Sequence, residues 1–131
     1  VRITNALRDN EPLRALNRIT LLADGFGGGS KIGENLKQFS NSYARNFVDG
    51  RSVVFILSDG YDSGSSEVLG AALAKIKQRG CKIVWLNPLK GWRGYEPVAK
   101  GMAAAMPYLD AFMAANTLTD LANLDRTLER L

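Results

Sequence analysis

Two short stretches of this chain carry residues whose types could do chemistry. The first is Ser58-Asp59-Gly60, where a carboxylate meets a turn glycine directly after the apolar run Val53-Val54-Phe55-Ile56-Leu57. The second is Asp24-Gly25-Phe26-Gly27-Gly28-Gly29-Ser30, four glycines in seven residues closed by a hydroxyl. A loop so rich in glycine loses much backbone entropy on ordering, and a chain usually carries it where φ must be positive or the backbone must approach a ligand closely. The Ser30 hydroxyl and the Asp59 carboxylate are hard oxygen donors, suited to magnesium, manganese or calcium rather than zinc. Two donors are too few for a complete site. The glycine loop also has a phosphate reading, since amides feeding a helix N-terminus hold anions. That reading makes the chain a nucleotide- or phosphate-binding α/β enzyme working through the Gly25–Ser30 loop, and it needs a strand at Ile19 to Ala23. Spacing opposes it: Gly25-Phe26-Gly27 starts G-x-G-x-x-G but ends on Ser30, and Lys31 lacks the glycine that the Walker pattern requires.

Composition removes other classes. There is no histidine, so Ser-His-Asp and Cys-His nucleophilic systems and histidine-bound zinc or iron are excluded. A single cysteine, Cys81, excludes an internal disulfide and a cysteine metal cluster; it reads as a core residue and fits a reducing compartment. The net charge of +4 comes from Lys and Arg scattered along the chain. Nucleic-acid binding needs such charges gathered on one face, so no nucleic acid is expected. No run approaches the ~20 apolar residues of a membrane span, so no membrane partner is expected and a cytoplasmic domain is the default. At 131 residues the chain is one ordinary domain, long enough to bury roughly two-thirds of its extended-chain surface.

The elements that must position Ser30 and Asp59 follow from periodicity. Val53, Phe55 and Leu57 alternate with Val54 and Ile56, so both faces of that strand are apolar and both require cover, as in a parallel sheet. Its carboxyl end is the edge where open α/β sheets bind ligands. Lys82 to Leu86 and Ala111 to Ala114 read as further parallel strands. Val1 to Leu7 reads as the end of an extended segment. Helices are expected over Glu11 to Leu22, over Ile32 to Phe47, after Ser66, from Glu96 to about Met106 where Pro107 stops it, and from a capping box at Thr117 to Leu131. The alternation predicts an α/β fold in three layers, a parallel sheet with helices on both faces and right-handed crossovers. The spatial order expected is Val53–Leu57, Lys82–Leu86, Ala111–Ala114.

The segments GGGSKIGENLKQF, VVFILSDGYD and KIVWLNPLKGWRGYEPVAKGMAAAMPYLDAF resemble the von Willebrand factor A (VWA) domain. The run WLNPL…GYEP…GM…P…D resembles its CoxE-like bacterial branch, and the match covers nearly the whole chain. This resemblance implies a Rossmann-like fold and a divalent cation, Mg2+ or Mn2+, in a metal-ion-dependent adhesion site. Ser30 stands at the position of the family's loop threonine and Asp59 at that of its strand-end aspartate. The D-x-S-x-S segment of that site is unmatched: Asp62-Ser63-Gly64-Ser65-Ser66 echoes it but has glycine at the first serine position and follows the wrong strand. The resemblance therefore implies that residues 1–131 are the carboxyl-terminal two-thirds of a single VWA-like domain, incomplete at the amino terminus.

The function implied is a non-catalytic, divalent-metal-dependent protein-interaction module. It would be an accessory factor for metalloenzyme maturation, with a MoxR-type AAA+ ATPase or a metalloenzyme subunit as partner. An apolar strand at a sheet edge is a template for pairing, so the Val53–Leu57 edge is expected to be covered. The candidates are the same edge of a second copy, an exchanged segment such as Val1 to Leu7, or an amino-terminal part of the protein. Asp59 also has a plainer reading as a turn or helix-capping carboxylate, and Ser30 as a helix N-cap. Asp62 reads as a group that supports the site without touching the ion or, preferably, as a merely solvated carboxylate, and Trp92 and Tyr95 as a contact surface or as packing of their loop onto the fold.

Overall fold

The computed structural model describes residues 2–22 and 30–131. The glycines of the Asp24–Ser30 loop, with Ala23 before them, lie outside the described residues. Three strands, β1 (Val53–Leu57), β2 (Lys82–Asn87) and β3 (Ala111–Ala114), pair in parallel in the order β1-β2-β3. This is the expected α/β class and the expected strand order. Register aligns Val54 with Ile83, and Ile56 with Trp85 and then Phe112, so these five side chains share one face. Against that face pack α5 (Ser66–Lys77) and α6 (Lys100–Ala105), which supply Leu69, Leu73, Ile76, Met102 and Ala105 to the core, and α3 (Ile32–Asn41), whose Ile32, Leu36 and Phe39 pack against it. Each large side chain buried this way contributes roughly 1.5–3 kcal/mol. Cys81 joins the core as expected, its thiol donating to the Ile76 carbonyl.

The other face corrects the reading of β1 as a strand covered on both sides. Val53, Phe55 and Leu57 are 37%, 44% and 70% exposed, whereas Ile83, Val84 and Trp85 of β2 are all at 0%. The strand buried on both faces is therefore β2. The reason is positional: β2 has a neighbour on each side, and among the described residues β1 has one. The amino-terminal segment is not extended either, because Thr4–Leu7 forms a helical turn, α1, and the Arg2 guanidinium lies 4.7 Å from the centre of the Phe47 ring.

Helix boundaries moved for local reasons. α2 (Pro12–Leu22) forms as expected, which makes residues 19–22 helical rather than the strand that the phosphate reading needs. The long helix over Ile32 to Phe47 divides into α3 and α4 (Ala44–Phe47). At the break, Ser40-Asn41-Ser42 are weak helix formers, and the Ser40 hydroxyl bonds back to the Lys37 carbonyl at 2.8 Å. The helix expected from Glu96 starts only at Lys100, because the segment before it is tied to β2 through Tyr95, described below. The Thr117–Asp120 capping box is present, with both reciprocal hydrogen bonds. The closing helix nonetheless divides at Asn123 into α7 (Leu118–Ala122) and α8 (Leu124–Leu128), and Leu118 is 86% exposed rather than packed.

At the amino-terminal end of the sheet, Asp110 ties β3's entry to β2. Its Oδ2 accepts from the Ile83 amide at 2.7 Å and from the Lys77 ammonium, while Lys82 lies 3.7 Å from Oδ1. Burial alone would raise the Asp110 carboxyl, but the Lys77 and Ile83 hydrogen bonds and the Lys77 and Lys82 charges outweigh it and hold it below its ordinary value of 3.8. A depressed carboxyl stabilises the fold above its unfolded pKa and loses that contribution as pH falls through the folded value. Asp110→Asn should lower stability at pH 7 by about 1–3 kcal/mol. The difference from the parent protein should close as urea titrations are repeated at progressively lower pH below about 4. A gap that persists unchanged in acid would assign the loss to packing.

Candidate functional site

The turn that leaves β1 is held from four directions. On one side, β2 reaches across: the Ser58 amide donates to the Leu86 carbonyl at 3.1 Å, the Trp85 indole to the Ser58 carbonyl at 2.8 Å, and the Asn87 side-chain amide to the Asp59 carbonyl at 3.0 Å. Trp85 and Asn87 are two apart in a strand and so point to the same face, which lets them grip consecutive carbonyls. Gly60 then takes φ +83°, a conformation that L side chains rarely adopt. From beneath, α6 presses on the same turn. A Cβ on Gly60 would overlap Met102, and one on Gly101 would lie 2.5 Å from the Gly60 carbonyl oxygen.

Asp62 secures the third and fourth sides. Its Oδ1 accepts from the amides of Ile32 and Gly64, at 3.1 and 3.0 Å, and its Oδ2 from the Gly33 amide at 2.8 Å. A carboxylate at the amino terminus of α3 satisfies two of that helix's free amides and complements its dipole. This corrects the reading of Asp62 as merely solvated; the pattern of acid and turn residues around it gave no hint of a helix thirty positions earlier in the chain. The turn then passes Ser63, whose amide and hydroxyl both donate to the Ser30 carbonyl, at 3.0 and 2.9 Å, and Ser65 stands at the N-cap of α5, its hydroxyl turned to Glu67 instead of the helix amides.

Ser30 and Asp59 thus stand on two segments that hydrogen-bond to each other at the carboxyl edge of the sheet. Ser30 is exposed and Asp59 half-buried. The Asp59 Oδ1 accepts from the Tyr61 amide at 3.0 Å, and among the described residues its Oδ2 has no hydrogen-bond donor. Tyr95 lies close by, its hydroxyl accepting from the Asn87 side chain at 2.8 Å. Burial pushes the Tyr95 phenol up; the Asn87 hydrogen bond opposes this, and the negative charge of Asp59 adds to it. Tyr95 accordingly packs its loop onto the fold, while Trp92 in the same loop stays 67% exposed. Trp85, Asn87 and Tyr95 were not singled out from sequence as parts of the site. Their signal was the W-x-N spacing within WLNPL and the tyrosine of GYEP.

The donor set can be judged against a cation. Among the described residues no cluster of three or more His, Cys, Asp or Glu could enclose a metal ion, and Asp62 is taken up by amides. What remains is one carboxylate with a free oxygen and one exposed hydroxyl. Two such donors do not complete a site; they are compatible in type with Mg2+, which keeps several waters and binds through one or two carboxylates.

A family model described as "VWA domain containing CoxE-like protein" matches residues 1–121. The chain belongs to this family. It is a VWA-type module of the kind associated with carbon monoxide dehydrogenase maturation. No curated protein and no solved structure matches it. In this CoxE-like VWA chain no helix among the described residues is long and apolar enough to cross a membrane.

The tight packing under the turn has measurable consequences. Gly101→Ala should destabilise this VWA domain by about 1–3 kcal/mol through overpacking against Gly60. Gly50→Ala, where nothing lies within 4 Å of the added Cβ, should shift the urea midpoint negligibly, and equal effects at the two positions would refute the close approach. Asp62→Ala removes the cap of α3 and should cost about 0.5–2 kcal/mol. Hydrogen exchange should show the Ile32 and Gly33 amides opening first; unchanged rates there would mean that Asp62 does not hold the helix start.

Proposed function

We propose that this chain is a non-catalytic protein-interaction module that works through a divalent cation, Mg2+ or Mn2+, held by Asp59 and Ser30. The observation that carries the reading is Asp59 itself. Its backbone is clamped from β2, while one carboxylate oxygen stays without a donor among the described residues at the ligand-binding edge of a parallel sheet. A bound ion would supply a positive charge for a partner's acidic side chain to complete. Family membership supports an accessory role in metalloenzyme maturation; in this reading the module acts in the cytoplasm and its partner is a MoxR-type AAA+ ATPase or a metalloenzyme subunit.

The phosphate-binding enzyme reading finds less support. Residues 19–22 are helical, so no strand feeds the glycine loop as a nucleotide site requires. The amides of Ile32 and Gly33 at the start of α3, which a phosphate would use, already receive the Asp62 carboxylate.

Titration of the full-length protein with Mn2+ and, separately, with ATP discriminates the two. Saturable Mn2+ binding without ATP binding is expected. Asp59→Ala should abolish it and the metal-dependent capture of a partner, while the melting temperature moves by no more than about 2–4 °C. ATP binding that survives Asp59→Ala would favour the enzyme reading.

A further inference from the structure

Asn87 closes β2 and is fully buried, at 0% exposure. A buried amide left unpaired is expensive, and this one has every group engaged. One Nδ2 hydrogen goes to the Asp59 carbonyl at 3.0 Å, the other to the Tyr95 hydroxyl at 2.8 Å, and Oδ1 accepts from the Leu89 amide at 2.7 Å. Trp85, on the same face, fixes the preceding carbonyl, that of Ser58. With two successive carbonyls drawn toward β2, the backbone torsions of Asp59 are set, and with them the direction in which its side chain leaves the chain. Among the described residues one hydrogen bond, from the Tyr61 amide, acts on the carboxylate directly. The orientation of Asp59 is therefore inherited from its backbone.

We propose that Asn87 is a positioning residue for the Asp59 site: it aims the carboxylate at the cation, with Tyr95 holding Asn87 from its other side. This rests on the metal reading of Asp59 above. Groups that orient a ligand without touching the ion typically change metal affinity 10–100-fold when removed. A purely structural anchor would lower stability and leave affinity alone, and Asp110 provides that comparison, since it braces β2 at the opposite end of the sheet.

The test measures Mn2+ affinity of the full-length protein, by electron paramagnetic resonance of the free ion, for the parent, Asp59→Ala, Asn87→Leu, Tyr95→Phe and Asp110→Asn. Asn87→Leu is chosen because it removes both donors at similar volume without adding a charge that could attract the ion. The expected result is a Kd at least about tenfold weaker for Asn87→Leu. Asp110→Asn should stay within about twofold of the parent despite its lost stability, and Tyr95→Phe should fall between the two. Should Asn87→Leu fail to fold, the parent protein decides: the Asn87 side-chain amide resonances should shift on Mg2+ addition, and their indifference to saturating Mg2+ would overturn the proposal. Parent-like Mn2+ affinity in folded Asn87→Leu, with binding abolished in Asp59→Ala, would also overturn it and leave the metal reading standing. No Mn2+ binding by the parent would remove the metal reading and the proposal together.

Discussion

The grip of β2 on the turn after β1 is the interaction on which this structure depends. A parallel strand pair has hydrogen bonds only along its ladder, and beyond Leu57 the chain would be free to leave the sheet in many directions. Trp85 and Asn87 extend the ladder by two side-chain hydrogen bonds onto Ser58 and Asp59. The turn so fixed becomes the place where α3, α5 and α6 converge. Asp62 caps the first, Ser65 starts the second, and Gly101 lets the third come against the Gly60 carbonyl. A shift of this turn would therefore leave a helix uncapped, a glycine contact opened and a buried amide unpaired at once.

The two ends of the sheet use charge differently. At the amino-terminal end, Asp110 is enclosed by an amide and two lysines, so its carboxylate is fully compensated and serves to brace β2 and β3. At the carboxyl end, Asp62 is likewise compensated by three amides, and Asp59 is not. Compensation separates a structural carboxylate from one with capacity left for a ligand, and it does so among three aspartates that are indistinguishable by residue type.

β1 shows the same division between pattern and context. Its five apolar residues demand burial, yet Val53, Phe55 and Leu57 are exposed, and Phe55 shares an open groove with the aromatic rings of Phe39, Tyr43 and Phe47. The residues of β2 have the same apolar character and are buried because strands lie on both sides. Exposure here follows from place in the sheet order and from face, since Ile56 of the same strand is buried on the helix-covered side.

Much was legible in the sequence because it rests on short-range regularities. The three strands, their parallel order, α2, α5, the capping box at Thr117 and the placement of Asp59 at a strand end all follow from periods of two or near four and from turn residues within a few positions. The WLNPL…GYEP…GM run carries the family resemblance and also Trp85, Asn87 and Tyr95, which hold the site. What the sequence could not settle lies in contacts between distant segments. The break of the Ile32–Phe47 helix, the late start of α6 and the exposure of the leucines after Thr117 are settled by which surfaces find a partner. Asp62 reaches an amide thirty positions back, and Asn87 joins a carbonyl and a phenol that are far apart along the chain. Local pattern determined the elements and the edge on which Asp59 stands, because backbone periodicity is a nearest-neighbour property. Tertiary structure alone decided which aspartate, among the described residues, kept an oxygen without a donor, because hydrogen-bond compensation depends on groups that only folding brings within about 3 Å.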